Sequence, residues 1–414
     1  MSLAPTYIPR RNDHLIASPR YRSTWRSELK IWWREIDRVL LGVILTLMAL
    51  GTAAVAAASP ASAGRLSTAA KDLPDLYFYW AHIRWQAVGL LVMLGASMLS
   101  RDSARRLGIV LAVSMLGFLL LVPLIGSEVN GAKRWINLGM RFQPSEFLKP
   151  GFAILLAWIV TWRIRDPGLP VLGVVTGLMA LIAGLMMMQP DFGGTILFAG
   201  VWFVILLLAG IPLRRVGVMA AGGMVAVALT YFLYDNARHR IDSFLGGGTA
   251  FDQVDLASRT LLAGGWTGSG LWLGVRKMAL PEAHTDYIFS VIGEEFGLLV
   301  CALIVILYLA LMVRVLVRLA EEEDLFTLLA GAGLAAQIGG QAFINILVNL
   351  QLFPSKGMTL PLVSYGGSST IAVCLTVGLL LAITRRNPFL YRRAPGIARM
   401  LADRLPPLPG EVGR

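Results

Sequence analysis

The chain alternates between long apolar stretches and short polar connections. Ten apolar runs stand out, at about 39–59, 85–100, 107–125, 147–163, 169–187, 193–210, 214–233, 287–313, 326–350 and 366–384. A helix needs about 20 apolar residues to cross the hydrocarbon layer, so runs of this length predict membrane spans. The expected fold is an all-α integral membrane protein of about ten transmembrane helices. A tail at 1–38 precedes a membrane domain at 39–386, and a second tail occupies 387–414. One connection is out of proportion: the segment 234–286, between the seventh and eighth helices. Loops of that length in a compact protein are functional or disordered. Trp266 and Trp272 within it argue for a structured piece at the outer interface.

Composition agrees, because 56% of the residues are hydrophobic, above the range of soluble globular chains. A formal charge of +12 would suggest nucleic acid in a soluble protein. Here most of the basic residues, such as Arg22, Arg26, Arg34, Arg105, Arg106, Arg214, Arg215, Arg314, Arg318, Arg385 and Arg392, fall on the tails and on alternate short loops. That is the positive-inside bias; it places both termini in the cytoplasm and leaves a nucleic-acid reading nothing to explain. Trp25, Trp32 and Trp33 suit a headgroup region. Cys301 and Cys374 lie in apolar runs and read as small buried side chains, and the scattered histidines offer no metal-ligand spacing. The Ala- and Ser-rich stretch 52–63 imitates a signal-peptidase site, but its apolar run is span-length, so it reads as an uncleaved anchor.

Candidate chemistry gathers in the outside connections. His284 to Gly297 places Asp286 at the start of an apolar run, with Glu294 and Glu295 deeper in it. Ionisable groups at membrane depth are costly and mark functional sites by default. A helix cap at Thr285 or Asp286 is the plainer reading, although it leaves Glu294 and Glu295 unexplained. In Phe142 to Lys149, Pro144 suits a first helical turn, which makes Glu146 and Lys149 neighbours on one helical face. Such a pair is structural glue or the lining of a polar cavity. Asp191 sits at a helix start, where an acid caps. Pro354 to Ser369, with Ser364, Gly366, Gly367 and Ser368, reads as a re-entrant or cavity-lining turn, since non-helical backbone is tolerated at that depth only against protein or water. Gln337, Gln341, Asn345 and Asn349 recur every four residues in the preceding run, as interhelical glue or as the wall of a polar cavity toward which the stripe runs.

Asn130–Trp135, Gln143–Lys149, Gln189–Gly193, His284–Gly297 and Pro354–Ser369 together, in order along nearly the whole chain, resemble the SEDS family (shape, elongation, division and sporulation proteins), its division members more than its elongation members. The resemblance implies polymerisation of lipid II into glycan strands at the outer face of the bacterial cytoplasmic membrane. It also implies Asp286 as the catalytic acid of the Thr-Asp-Tyr motif, and Glu146, Lys149 and Asp191 lining a central cavity. A class B penicillin-binding protein and other divisome proteins at the septum are the expected partners. The chain departs from the family's pattern at Asp252 to Leu256, where an aromatic and a second Gln are replaced.

An inverting glycosyl transfer needs a base for the acceptor hydroxyl, for which Asp286 is the candidate. The leaving pyrophosphate needs positive charge, for which Lys149, Arg134 and Lys356 are candidates, and a divalent cation (Mg or Mn) is left open. A lipid flippase, in which Glu146, Lys149, Gln341 and Asn345 line a path, and a non-catalytic scaffold are the alternatives. The arginine placement yields a first test: a thiol introduced at Gly247 should react with impermeant reagent from outside, and labelling only from the cytoplasmic side would sink this topology.

Overall fold

In a computed structural model, described for residues 25–68, 72–129, 132–137, 139, 141–166, 168–189, 191–233, 242, 253–354 and 357–386, the chain is mostly helical. A short helix α1 (Trp25–Glu35) leads into the bundle. Ten spans follow. Among the described residues, eight precede the last two: α2 (Arg38–Leu66), α3 (Tyr77–Ser97), α4 (Arg101–Ile125), α5 (Pro144–Arg165), α6 (Val171–Met188), α7 (Phe192–Leu208), α8 (Leu213–Leu233) and the broken span α10 (Ile288–Phe296) with α11 (Leu298–Leu319). α12 (Leu325–Asn349) and α13 (Gly367–Ile383) complete the set. Helix α9 (Gln253–Ala263) belongs to the long outside connection. Among the described residues, α2, α4, α6, α11 and α12 are long and apolar enough by themselves to cross a membrane.

Helix starts follow the capping chemistry of the sequence. Asp37 accepts from the N–H groups of Val39 and Leu40 at 3.1 Å each, and Asp324 accepts from Thr327 N–H at 2.9 Å. Asp37 is also gripped by Arg314 at 2.7 Å and Arg318 at 2.6 Å, which fixes the start of α2 to the end of α11. The closest helix crossings use glycine. A β-carbon on Gly151 would lie 2.6 Å from Ala112 N, and one on Gly378 would lie 2.6 Å from Met93 O. Backbones approach this closely only through small residues, the usual basis of helix association where lipid gives no hydrophobic drive. Cys301 and Cys374 are buried free thiols, as their apolar setting implies.

Four features differ from the pattern-based expectation. The connection between α4 and α5 folds into a small antiparallel sheet, β1 (Ser127–Val129), β2 (Ala132–Asn137) and β3 (Arg141–Phe142), which an all-α reading omits. The aromatic cluster Tyr77 to Trp80 forms the first turn of α3, which starts ahead of the apolar run expected at 85–100. Helix α2 runs past Pro60 to Leu66. A proline deprives the carbonyl four residues earlier of its donor, and that carbonyl, of Ala56, instead accepts from the Trp272 indole at 3.1 Å.

The fourth difference is the run 287–313, which breaks at Gly297, where φ is +85°. The groups released by the break are met by residues 265–270 of the preceding connection. Ser269 N–H donates to Glu294 O at 2.8 Å and Gly270 N–H to Glu295 O at 3.0 Å. Leu298 N–H and Leu299 N–H in turn donate to Gly265 O at 3.0 Å and Trp266 O at 3.2 Å. Continuous hydropathy cannot show a break whose partners lie some thirty residues upstream.

The segment 357–366 is non-helical, and its middle is buried, with Leu360, Leu362, Val363 and Ser364 all inside the protein. It rests on α2 at Gly51, where a β-carbon would fall 2.6 Å from Val363 Cα and 2.9 Å from Leu362 O. Gly51→Ala should therefore cost about 1–3 kcal/mol, as overpacking does, and lower the thermal midpoint in detergent. Gly42→Ala on the same helix meets nothing within 4 Å and should be silent. Equal midpoints for the two variants would contradict this contact.

Candidate active site

The site is built around one face of α12. Gln341, Asn345 and Asn349 are buried on successive turns, and their side-chain amides donate to main-chain carbonyls of the two non-helical segments beside them. Gln341 Nε2 bonds Thr359 O at 2.9 Å. Asn345 Nδ2 bonds Met358 O at 2.7 Å and Asp286 O at 2.8 Å. Asn349 Nδ2 reaches Asp286 O at 3.2 Å, and its Oδ1 accepts from the Ser290 hydroxyl at 2.7 Å. Of the two readings of this stripe, glue fits: the amides hold backbone rather than line an open wall.

The two segments are also tied to each other. The Ser364 hydroxyl donates to Thr285 O at 2.6 Å and accepts from Leu360 N–H at 2.8 Å, while Tyr365 N–H donates to His284 O at 3.0 Å. His284 is packed between Phe78 and Tyr365, with ring centroids 4.1 and 5.3 Å away. Burial lowers its pKa to about 4, so the imidazole is neutral at physiological pH and serves as an aromatic filler.

Asp286 is half-buried in the turn that precedes α10. The cap position of that helix falls on Tyr287, whose side chain makes no capping bond. A β-carbon on Gly357 would stand 3.5 Å from Asp286 Oδ2, so the carboxylate faces the bare backbone at the start of the second segment. Glu146 and Lys149, in the first turns of α5, form the expected pair at 2.7 Å, with side chains 15% and 5% exposed. The Lys149 ammonium also donates to Gln341 Oε1 at 3.2 Å, which links the pair to the amide face. Asp191 caps α7, accepting from Gly194 N–H at 2.9 Å. Arg134, on β2, donates to Gln189 O at 2.8 Å and thereby joins the sheet to the turn that carries Asp191. Ser368 lies in the first turn of α13, partly buried. Lys356 and the glycines at 246–248 lie outside the described residues.

Glu294 and Glu295 do not join Asp286; they clamp the outside connection. Glu294 accepts from the N–H groups of Arg276 at 2.6 Å and Lys277 at 2.8 Å, and Glu295 accepts from Trp272 N–H, Gly274 N–H and the Lys277 ammonium. Lys277, 2% exposed, is the counter-charge that reading the motifs missed; two unexplained carboxylates in a span were the signal to look for it. The glycines of the 354–369 turn are not left-handed: Gly366 is extended, with φ −176°, and Gly367 begins α13. The left-handed residue of this turn is Leu362, with φ +66°. Among the described residues, no group of three or more His, Cys, Asp or Glu side chains gathers to hold a metal ion.

Residues 37–388 match the sequence profile of the FtsW, RodA and SpoVE proteins, described as cell cycle proteins. The chain belongs to this family. It is 36% identical over 380 residues to a probable peptidoglycan glycosyltransferase FtsW of Caulobacter vibrioides, covering 91% of this chain and 96% of that one. Another FtsW, of Methylococcus capsulatus, is 37% identical over 370 residues, covering 84% and 89%. Among solved structures, a chain of a peptidoglycan synthase complex that coordinates polymerization and crosslinking superposes with a TM-score of 0.66 at 30% identity, over 84% of this chain and 97% of that one. The rod shape determining protein RodA of Thermus thermophilus gives 0.62 at 29% identity, over 85% and 97%.

The family's fold thus sets Glu146 and Lys149 at the edge of the amide face. Breaking a buried pair costs about 3–5 kcal/mol, because one charge is left uncompensated. Glu146→Gln or Lys149→Met alone should lower the thermal midpoint by several degrees, and the double variant should recover part of the loss. Single variants with the wild-type midpoint would show the pair to be incidental.

Proposed function

We propose that this protein is a peptidoglycan glycosyltransferase that polymerises lipid II at the outer face of the bacterial cytoplasmic membrane. The observation that carries the reading is Asp286: a half-buried carboxylate off the helix cap, on a turn fixed by the amides of α12, in a chain whose FtsW relatives bear that activity in their names. Both termini lie in the cytoplasm in this reading, and the protein works at the septum with a class B penicillin-binding protein that crosslinks the strands.

The 4-hydroxyl of the acceptor N-acetylglucosamine gives its proton to the Asp286 carboxylate as its oxygen attacks the anomeric carbon of the donor N-acetylmuramic acid. The bond from that carbon to the pyrophosphate oxygen breaks, and undecaprenyl pyrophosphate leaves with the electron pair. Attack opposite the leaving group inverts the configuration. Cationic groups offset the charge that develops on the pyrophosphate, a role for which Lys149, Arg134 and Lys356 are the motif-borne candidates. Ser364, Gly366, Gly367 and Ser368 form the wall beside the sugar, and Glu146 and Asp191 hold the elements that carry these groups.

Purified protein supplied with labelled lipid II, with its penicillin-binding partner, tests the assignment. Polymer supports a transferase, movement across the bilayer without polymer a flippase, and neither a scaffold. Asp286→Asn keeps the side chain's shape but cannot take a proton, and a positioned base contributes ~10²–10⁴-fold. Polymerisation should fall by that factor while folding and partner binding persist. Undiminished polymer from well-folded Asp286→Asn protein would refute the base.

A further inference from the structure

Asn345 is 2% exposed, and its single NH₂ group spans the two segments of the site: one bond goes to Asp286 O at 2.8 Å and the other to Met358 O at 2.7 Å. Both acceptors are carbonyl oxygens, so the amide has only one satisfactory orientation. The Asp286 carbonyl belongs to the peptide that follows the candidate base; fixing it fixes the backbone torsion that aims the carboxylate. The Met358 carbonyl follows Gly357, the residue whose bare backbone stands before Asp286 Oδ2. One amide therefore sets both the direction of the carboxylate and its spacing from the strand opposite.

From this geometry we infer that Asn345 is a positioning residue for glycosyl transfer, acting through Asp286 rather than on the sugar. The inference rests on the reading of Asp286 as the base. Its bonds to Asp286 fall on the main-chain carbonyl and do not engage the carboxylate, so the residue controls where the base is and not how strongly it holds a proton. Asn349 adds a weaker bond to the same Asp286 carbonyl at 3.2 Å, and is tied to Ser290 at the other end of its amide. Asn345 differs in bridging to the second segment. A base displaced by about 1 Å can lose on the order of 10²-fold in rate.

The test uses the full-length protein with its class B penicillin-binding partner and labelled lipid II, with rates expressed per folded, monodisperse molecule. Asn345→Ala removes both donors, and Asn345→Asp removes them while preserving volume, so either variant reads the effect if the other folds poorly. Gln337→Met is the comparison, since among the described residues this amide on the same helix reaches Thr376 alone, at 3.5 Å. The Asn345 variants should lose on the order of 10–10²-fold in kcat with KM for lipid II little changed, and Gln337→Met should retain the wild-type kcat. A structural role alone would lower the yield of folded protein and leave kcat per folded molecule intact. Wild-type kcat in a folded Asn345 variant, or a change carried by KM alone, would overturn the inference. Absence of polymer from the wild-type complex would instead overturn the reading of function itself.

Discussion

Non-helical backbone cannot sit at membrane depth unless every N–H and C=O finds a partner, because water is absent and each orphan costs several kcal/mol. This requirement organises the molecule. The segments around Asp286 and 357–366 leave helical geometry, and the carbonyls of Asp286, Met358 and Thr359 are met by side-chain amides of α12. A helix whose own backbone is already satisfied can lend side chains this way. Amides suit the task because they donate without bringing a charge that would itself need neutralising. The same accounting explains why α12 is the most buried of the long apolar helices and yet carries four amides.

Much of this was legible in the sequence, and the residues show why. The spacing of Glu146 and Lys149 predicts their pairing once Pro144 starts the helix, because three residues return to the same face. Asp191 before two glycines predicts a cap and is one. The four-residue period of Gln337, Gln341, Asn345 and Asn349 marks a single face of one helix. Local periodicity carries each of these facts.

What escaped depends on partners far apart in sequence. Nothing near Pro60 announces that α2 continues, since the donor that compensates the proline is Trp272. Nothing in the apolar run around Gly297 announces a break, since the matching groups belong to residues 265–270. Glu294 and Glu295 look like site acids beside Asp286 because sequence distance is short; their actual partners are backbone N–H groups and Lys277. In the turn that carries Ser364, a residue-type argument would put the left-handed conformation on Gly366 or Gly367, but it falls on Leu362. Packing against Gly51 of α2 holds it there.

The bond between Trp272 and Ala56 also imposes an order of assembly. Helix α2 is synthesised and threaded into the bilayer some two hundred residues before Trp272 leaves the ribosome. Ala56 lies about 27 Å along α2 from Arg38 at 1.5 Å per residue, near the far boundary of the hydrocarbon, where water can serve as a temporary partner. The later arrival of the indole replaces that water and seats the outside connection, with Lys277 joining at the neighbouring carbonyl of Ala57. Biogenesis thus closes on this contact: an early helix is left unfinished at one point, and a late loop completes it.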